Sequence, residues 1–216
     1  MYLIGRRGRW LAGAVLAAAA AGSAFVFLPT ASGAPTAIQS MVASDSNQTS
    51  AVEAIFTSAI EADREAQAPS ASAYGNTANA VVSAGRVAPA ASAAVRNTQL
   101  QDGKSALAKY FAPAQAKHEE IGLINAVKAE ADPKFRNLGS GVKNVKFDSV
   151  AVSGNTAILS AEVTAWAKFQ QQGNNGNWAT ANPVNVMIYN VTMIRNSSGQ
   201  WIVSSMVGDF APGEGP

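Results

Sequence analysis

Apolar and polar residues alternate with a period of two along the second half of the chain, and recur about every 3.6 residues in parts of the first. The clearest alternation is "TAILSAEVTAWAKF". Its odd positions, Ala157, Leu159, Ala161, Val163, Ala165, Ala167 and Phe169, are all apolar, while Ser160, Glu162, Thr164 and Lys168 hold even ones. A strand with one buried face reads this way. Val145, Phe147, Val150 and Val152 mark an earlier strand from Gly141, with a phase slip near Asp148, and Gly154-Asn155 turns it. "VNVMIYNVTMIR" and "QWIVSSMVGDF", joined by "NSSG", complete four antiparallel strands.

Helical spacing dominates upstream. In Thr49 to Gln67, Val52, Ile55, Phe56, Ala59 and Ile60 form one stripe, with Glu53, Glu61, Arg64 and Glu65 mostly off it. Pro69 ends that helix. Residues 69–97 contain almost no large apolar side chain and read as a low-complexity Ala/Ser-rich insertion. Asp102 is placed to cap a helix opening at Gly103, with Leu107, Tyr110 and Phe111 facing inward. Pro113 breaks it, and "AQAKHEEIGLINAVKAEAD" supplies another helical run. Helices first and an antiparallel meander afterwards predict an α+β domain, with N-terminal helices packed on a curved four-stranded sheet.

The beginning of the chain differs. Arg6, Arg7 and Arg9 precede 18 uncharged residues, Leu11 to Leu28, followed by Pro29 and small residues. This predicts an N-terminal hydrophobic helix at residues 1–33, acting as a signal peptide or signal anchor, and a linker at 34–48. The arginines keep the N-terminus cytoplasmic and send the rest outside, either released or tethered to the membrane through residues 11–28. The domain follows at 49–68 and 98–210, with a flexible tail at 211–216.

Charge revises the choice of partners. The formal net charge is +2, but three of the 16 basic residues lie in the export segment, leaving 13 basic against 14 acidic residues. No basic stripe remains to track phosphates, so nucleic acid is not an expected partner. The absence of cysteine removes thiol nucleophiles, thiolate metal ligands and disulfides, and burial must stabilise the exported domain.

Candidate chemistry is sparse. His118 is the single histidine and precedes Glu119 and Glu120. Ile121, Leu123, Ile124 and Val127 define the predicted buried stripe. On a wheel of about 100° per residue, His118 lies roughly 145° and Glu119 roughly 115° from its centre, so both are expected to face water. No second histidine follows at zincin spacing, and no metal or other cofactor is expected. Glu120 falls within the stripe, where a dry carboxyl would have a raised pKa. "DGKS" at 102–105 lacks the earlier glycine of a phosphate loop, and "GSG" at 139–141 reads as a hinge into the sheet. Trp166, Tyr189 and Trp201 are expected as core or as a hydrophobic pocket; Trp178, in a Gly/Asn loop, either folds over the sheet or anchors a partner.

The order of helices and strands, "AIFTSAIEADREA" and the final Arg195…Gly199-Gln200-Trp201 hairpin resemble the nuclear-transport-factor-two-like, cystatin-like cone shared with SnoaL and ketosteroid isomerase. With its N-terminal segment the chain is also similar to actinobacterial Mce-associated membrane proteins. The resemblance implies a pocket between sheet and helices and no particular reaction. Ketosteroid-isomerase-like chemistry would draw on Tyr189, Asp63 and Glu120. The expected role is an exported, non-catalytic binding or accessory module of a cell-envelope assembly, taking a protein partner or a small hydrophobic ligand through Glu120, Trp166, Trp178, Tyr189 or Trp201. The alternatives are an isomerase- or cyclase-like enzyme and a scaffold that homodimerises through its sheet face.

Overall fold

The computed structural model describes residues 46–69 and 85–214. The expected export helix, nearly all of the linker and residues 70–84 lie outside them. Among the described residues no helix is long and apolar enough to cross a membrane.

Three helices precede five strands: α1 (Ser46–Ala66), α2 (Ala93–Tyr110), α3 (Pro113–Ala129), β1 (Phe135–Ser153), β2 (Thr156–Gln172), β3 (Trp178–Ala181), β4 (Val184–Arg195) and β5 (Trp201–Phe210). The sheet is antiparallel in the order β1-β2-β4-β5, with β3 paired to β2 beyond the end of β4. The architecture is α+β, as the periodicity predicts. The short strand β3 is additional to the four expected: its register, Gln172↔Trp178 to Phe169↔Ala181, continues β2 into a small hairpin.

The odd positions of β2 turn inward, except Ala167, which is only partly buried. Ala157, Leu159, Ala161, Val163, Ala165 and Phe169 are buried, and Leu159 and Val163 pack with Phe56, Leu107, Leu123 and Val203. Glu162 sits on the opposite face beside Lys146, at 3.8 Å. Register shifts in β1 occur between Asn137/Gly139, Val142/Asn144 and Phe147/Ser149, the last at the predicted slip. Each bulge bends its strand and increases the local twist.

Several boundaries differ from expectation. The helix expected at Gly103 starts ten residues earlier, at Ala93, where Ser92 Oγ accepts the Val95 N–H at 3.2 Å. Gly103 lies inside α2, because a Cβ there would stand 2.7 Å from Leu123 Cδ2 and 3.2 Å from Ala66 Cβ. Close three-helix contact at that point offsets the roughly 1 kcal/mol helix cost of glycine. The Ala/Ser-rich stretch therefore contributes ordered chain at its end. Residues 93–97 belong to α2, and the extended segment before it is held by Gln170, whose Oε1 accepts the Ala88 N–H at 2.8 Å. The "GSG" at 139–141 is strand rather than hinge, since β1 begins at Phe135. Pro113 opens α3, and between the helices Ala112 N donates to Val203 O at 2.8 Å, fixing the joint to β5.

Candidate functional site

The helix-facing side of the sheet carries a charged cluster. The buried stripe of α1 runs on from Phe56 and Ile60 to Asp63 and Gln67, so the C-terminal half of the helix presents polar groups to the interior. Asp63, Arg64 and Tyr189 are 3%, 4% and 3% exposed, so solvent does not compete for their partners. Arg64 Nη2 donates to Tyr189 Oη and lies 3.2 Å from Met187 Sδ. Its Nε is 3.7 Å from Asp63 Oδ2, and Gln67 Nε2 donates to the same carboxylate at 3.4 Å. Tyr189 reaches this position because β5 offers Gly208 directly opposite: a Cβ there would stand 2.4 Å from Tyr189 Cε1. Phe56 meets the tyrosine ring edge-on, with centroids 6.2 Å apart. From α3, Glu119 is half-buried and accepts from Gln115 Nε2 at 2.5 Å.

These groups perturb one another. Burial pushes the Asp63 carboxyl up, against the opposing pull of Arg64 and Gln67. Burial also pushes Glu119 up, and with the charge of Asp63 brings it to about 8. Tyr189 is raised by burial and by Asp63, although Arg64 opposes the shift. Burial pulls Arg64 down, but Tyr189 and Asp63 more than offset that and hold it above its ordinary value. At neutral pH the Arg64 guanidinium is charged and Glu119 is held mostly protonated.

A separate groove of about 860 Å³ opens on the other side of α1. Ala62, Glu65 and Ala66 contribute to it from α1, within one arc of roughly 100° on a wheel of about 100° per residue, and Ala68 and Pro69 contribute just after the helix. Asp63 and Arg64 lie outside that arc. Tyr110 and Gln99 of α2 form another wall, and Leu138–Ser140 with Trp166 the third. Trp166 can lie flat because Gly141 is its cross-strand partner and Gly139 is adjacent. A Cβ at Gly141 would stand 2.9 Å from the indole Nε1, and one at Gly139 3.1 Å from Cη2. The ionisable lining groups are Glu65, Asp102, Lys109 and Lys168.

The expected site residues are dispersed. Trp166 lines the groove and Tyr189 belongs to the interior cluster. Trp201 is a core residue with the Arg195 guanidinium 4.6 Å above its ring. Trp178 opens β3, partly buried beneath Arg136 at 4.9 Å, so it is part of the sheet rather than of a loop. Glu120 is not in the apolar stripe: it pairs with Lys104 of α2 at 3.3 Å, with its side chain 27% exposed. The α3 wheel is rotated from expectation. Ile121 is 47% exposed, while Gln115, Ala116, Gly122 and Leu123 are buried and Glu119 turns towards the cluster instead of water. His118 is partly covered. Among the described residues no group of three or more Asp, Glu or His side chains is placed to hold a metal ion.

The periodicity points Arg64 and Glu119 away from the core, whereas the structure buries Arg64 and half-buries Glu119; Glu130 and Gln99, which the sequence does not single out, are buried as well. The sequence does carry a signal for the polar end of the α1 stripe. Asp63 and Gln67 stand seven and eleven residues after Phe56, on the same face.

No family model matches the chain, and no curated protein sequence matches it. Solved structures do resemble it in part. The intermembrane space region of the chloroplast protein ARC6 is 19% identical, over 62% of this chain and 94% of that one, with a TM-score of 0.37. A putative dehydratase from the Ntf2-like family of Streptomyces avermitilis is 13% identical, over 63% and 98%, with a TM-score of 0.35. An Ntf2-like protein involved in plasmid conjugation is 13% identical, over 54% of this chain and 42% of its own, with a TM-score of 0.30. The structure neighbours thus include Ntf2-like proteins at low identity.

Proposed function

We propose that the chain is an extracytoplasmic binding module, secreted or tethered by its N-terminal segment, that holds a small amphiphilic ligand in the groove beside Trp166. The observation that carries this reading is the separation of the two polar regions. The strongly coupled ionisable groups are spent on one another behind α1, whereas the groove combines an indole face, the Tyr110 ring and small alanines with charges of both signs. A partly apolar concavity with a few polar groups is the usual form of a small-molecule site. The run Leu11 to Leu28 supports placement outside the cytoplasm, and the sequence resemblance supports an accessory role in an Mce-like envelope assembly.

The test is to purify the full chain from its native membrane fraction and identify bound small molecules by mass spectrometry, beside Trp166→Ser prepared identically. An amphiphile present at near-stoichiometric amounts and lost in the variant supports the reading. Equal recovery from both proteins, or none from either, overturns it.

A second reading is favoured by Glu119: a carboxyl at about 8, near Asp63 and Tyr189, is suited to proton transfer. It proposes isomerase- or cyclase-like acid–base chemistry within the cone. It requires a substrate to reach groups that are now closed over, so Glu119→Gln must abolish a turnover that Trp166→Ser leaves intact.

A further inference from the structure

A buried carboxyl lies outside both regions. Glu130, at the end of α3, is 2% exposed and sits where α1, α2 and β1 converge. Its Oε1 accepts from Gln99 Nε2 at 3.2 Å and from Asn137 Nδ2 at 3.4 Å. The same two amides hold the end of α1: Gln99 Nε2 donates to Ala66 O at 3.2 Å, and Asn137 Nδ2 to Gln67 O at 2.6 Å. At this junction two buried atoms have no hydrogen-bond partner, Glu130 Oε2 and Gln99 Oε1.

The pattern is that of a neutral acid. Oε1 receives two N–H donors, as a carbonyl oxygen does, while Oε2 receives none. A carboxylate would leave one anionic oxygen buried without a donor, a costly arrangement. Gln99 cannot exchange its amide atoms, because both Nε2 hydrogens are directed at oxygen acceptors, and reversal would set Oε1 against Ala66 O. Its Oε1 therefore needs a hydrogen, and the nearby carboxyl can supply one.

We infer that Glu130 is protonated and donates Oε2–H to Gln99 Oε1, closing an acid–amide pair that clasps α1, α2, α3 and β1 together at the rear of the groove. One proton satisfies both unpartnered atoms. Gln99 also lines the groove, so the clasp links the groove wall to the protonation of Glu130. Burial raises this carboxyl to about 8, against the lowering effects of the Gln99 and Asn137 amides and of the Arg96 charge on α2. At the end of α1 the junction receives the carbonyls of Ala66 and of Gln67 just after it, and β1 contributes the Asn137 amide. Above its pKa Glu130 has no proton to donate, both of these oxygens are acceptors, and the clasp opens.

Carbon-detected NMR of the full chain, with labelled glutamate and glutamine side chains, tests the assignment. A glutamate δ-carbon is expected to titrate near pH 8 and to vanish in Glu130→Gln; the Gln99 side-chain carbonyl is expected to shift with the same midpoint. Glu119 titrates in a similar range, but its resonance persists in Glu130→Gln and does not move Gln99. A Glu130 midpoint below about 6 overturns the inference. So does a Gln99 resonance unmoved across the Glu130 titration, which would leave burial without the shared proton. The wild-type titration stands on its own should the variant misfold.

Discussion

The interior cluster and the groove lie on opposite flanks of one helix and show two ways of treating polar groups. Behind α1, Arg64 is surrounded: its guanidinium, the Tyr189 hydroxyl, the Asp63 carboxylate and the Gln67 amide use one another as partners, and little solvent reaches them. In front of α1, Glu65, Asp102, Lys109 and Lys168 surround an indole laid on two glycines, and the space between them is open. The density of perturbed pKa values marks the first region, but open space with unspent surface marks the second. Strong mutual coupling is as much a property of a buried structural ion pair as of a reactive site. Access is what separates them.

Removing the cation should break the comparison most severely. Arg64→Met leaves Asp63 buried without its counter-charge and is expected to cost about 3–5 kcal/mol in urea unfolding. The double variant Arg64→Met/Asp63→Asn should recover much of that loss; failure to recover any would mean that Arg64 acts through packing alone. Trp166→Ser should move the other region instead, reducing ligand affinity by about 2 kcal/mol or more in a binding titration. The interior cluster does not depend on that indole, so the pH response of unfolding should be retained.

Gly208→Ala probes the floor under Tyr189. The added methyl meets the ring, and overpacking of about 1–3 kcal/mol is expected, read as a lower urea midpoint at unchanged m-value. Glu119→Gln addresses pH. A carboxyl raised to about 8 in the folded state, from 4.5, gives stability that is fully present below about 4.5 and lost as pH rises through about 8. The variant should flatten that part of the stability profile in thermal unfolding across the window; an unchanged slope would place the proton elsewhere. The smallest effect belongs to Glu120→Gln. Its pairing with Lys104 is partly solvated, so a change of about 0–1 kcal/mol is expected, with no effect on bound ligand.

Legibility from the sequence follows the regularity of each element. In β2 side chains alternate between buried and more exposed from Ala157 to Ala165, so that stretch is assigned to a face without coordinates, and the slip at Asp148 announces a bulge. Helix α3 departs from the expected wheel because its apolar residues do not define its buried side. Ile121 is exposed while Gly122 and Leu123 are buried, with Leu123 against Gly103 of α2, and a wheel built on Ile121 turns Glu119 outward. The start of α2 was missed for a related reason. Alanines and polar residues fill its first two turns, and only the Ser92 cap and the fit of Gly103 against Leu123 reveal the helix.

The sequence by itself determined the class of fold, because period-two and period-3.6 patterns are local properties that each strand and helix carries alone. It determined as well that thiol chemistry is absent and that a charged-then-apolar segment leads the chain. Which carboxyls are buried was decided by the tertiary structure. Asp63, Glu119 and Glu130 acquire their environments from residues up to more than a hundred positions away, such as Tyr189 beside Arg64. The energy of a buried charge depends on the partners and solvent around it, and those exist only once helices and sheet have closed.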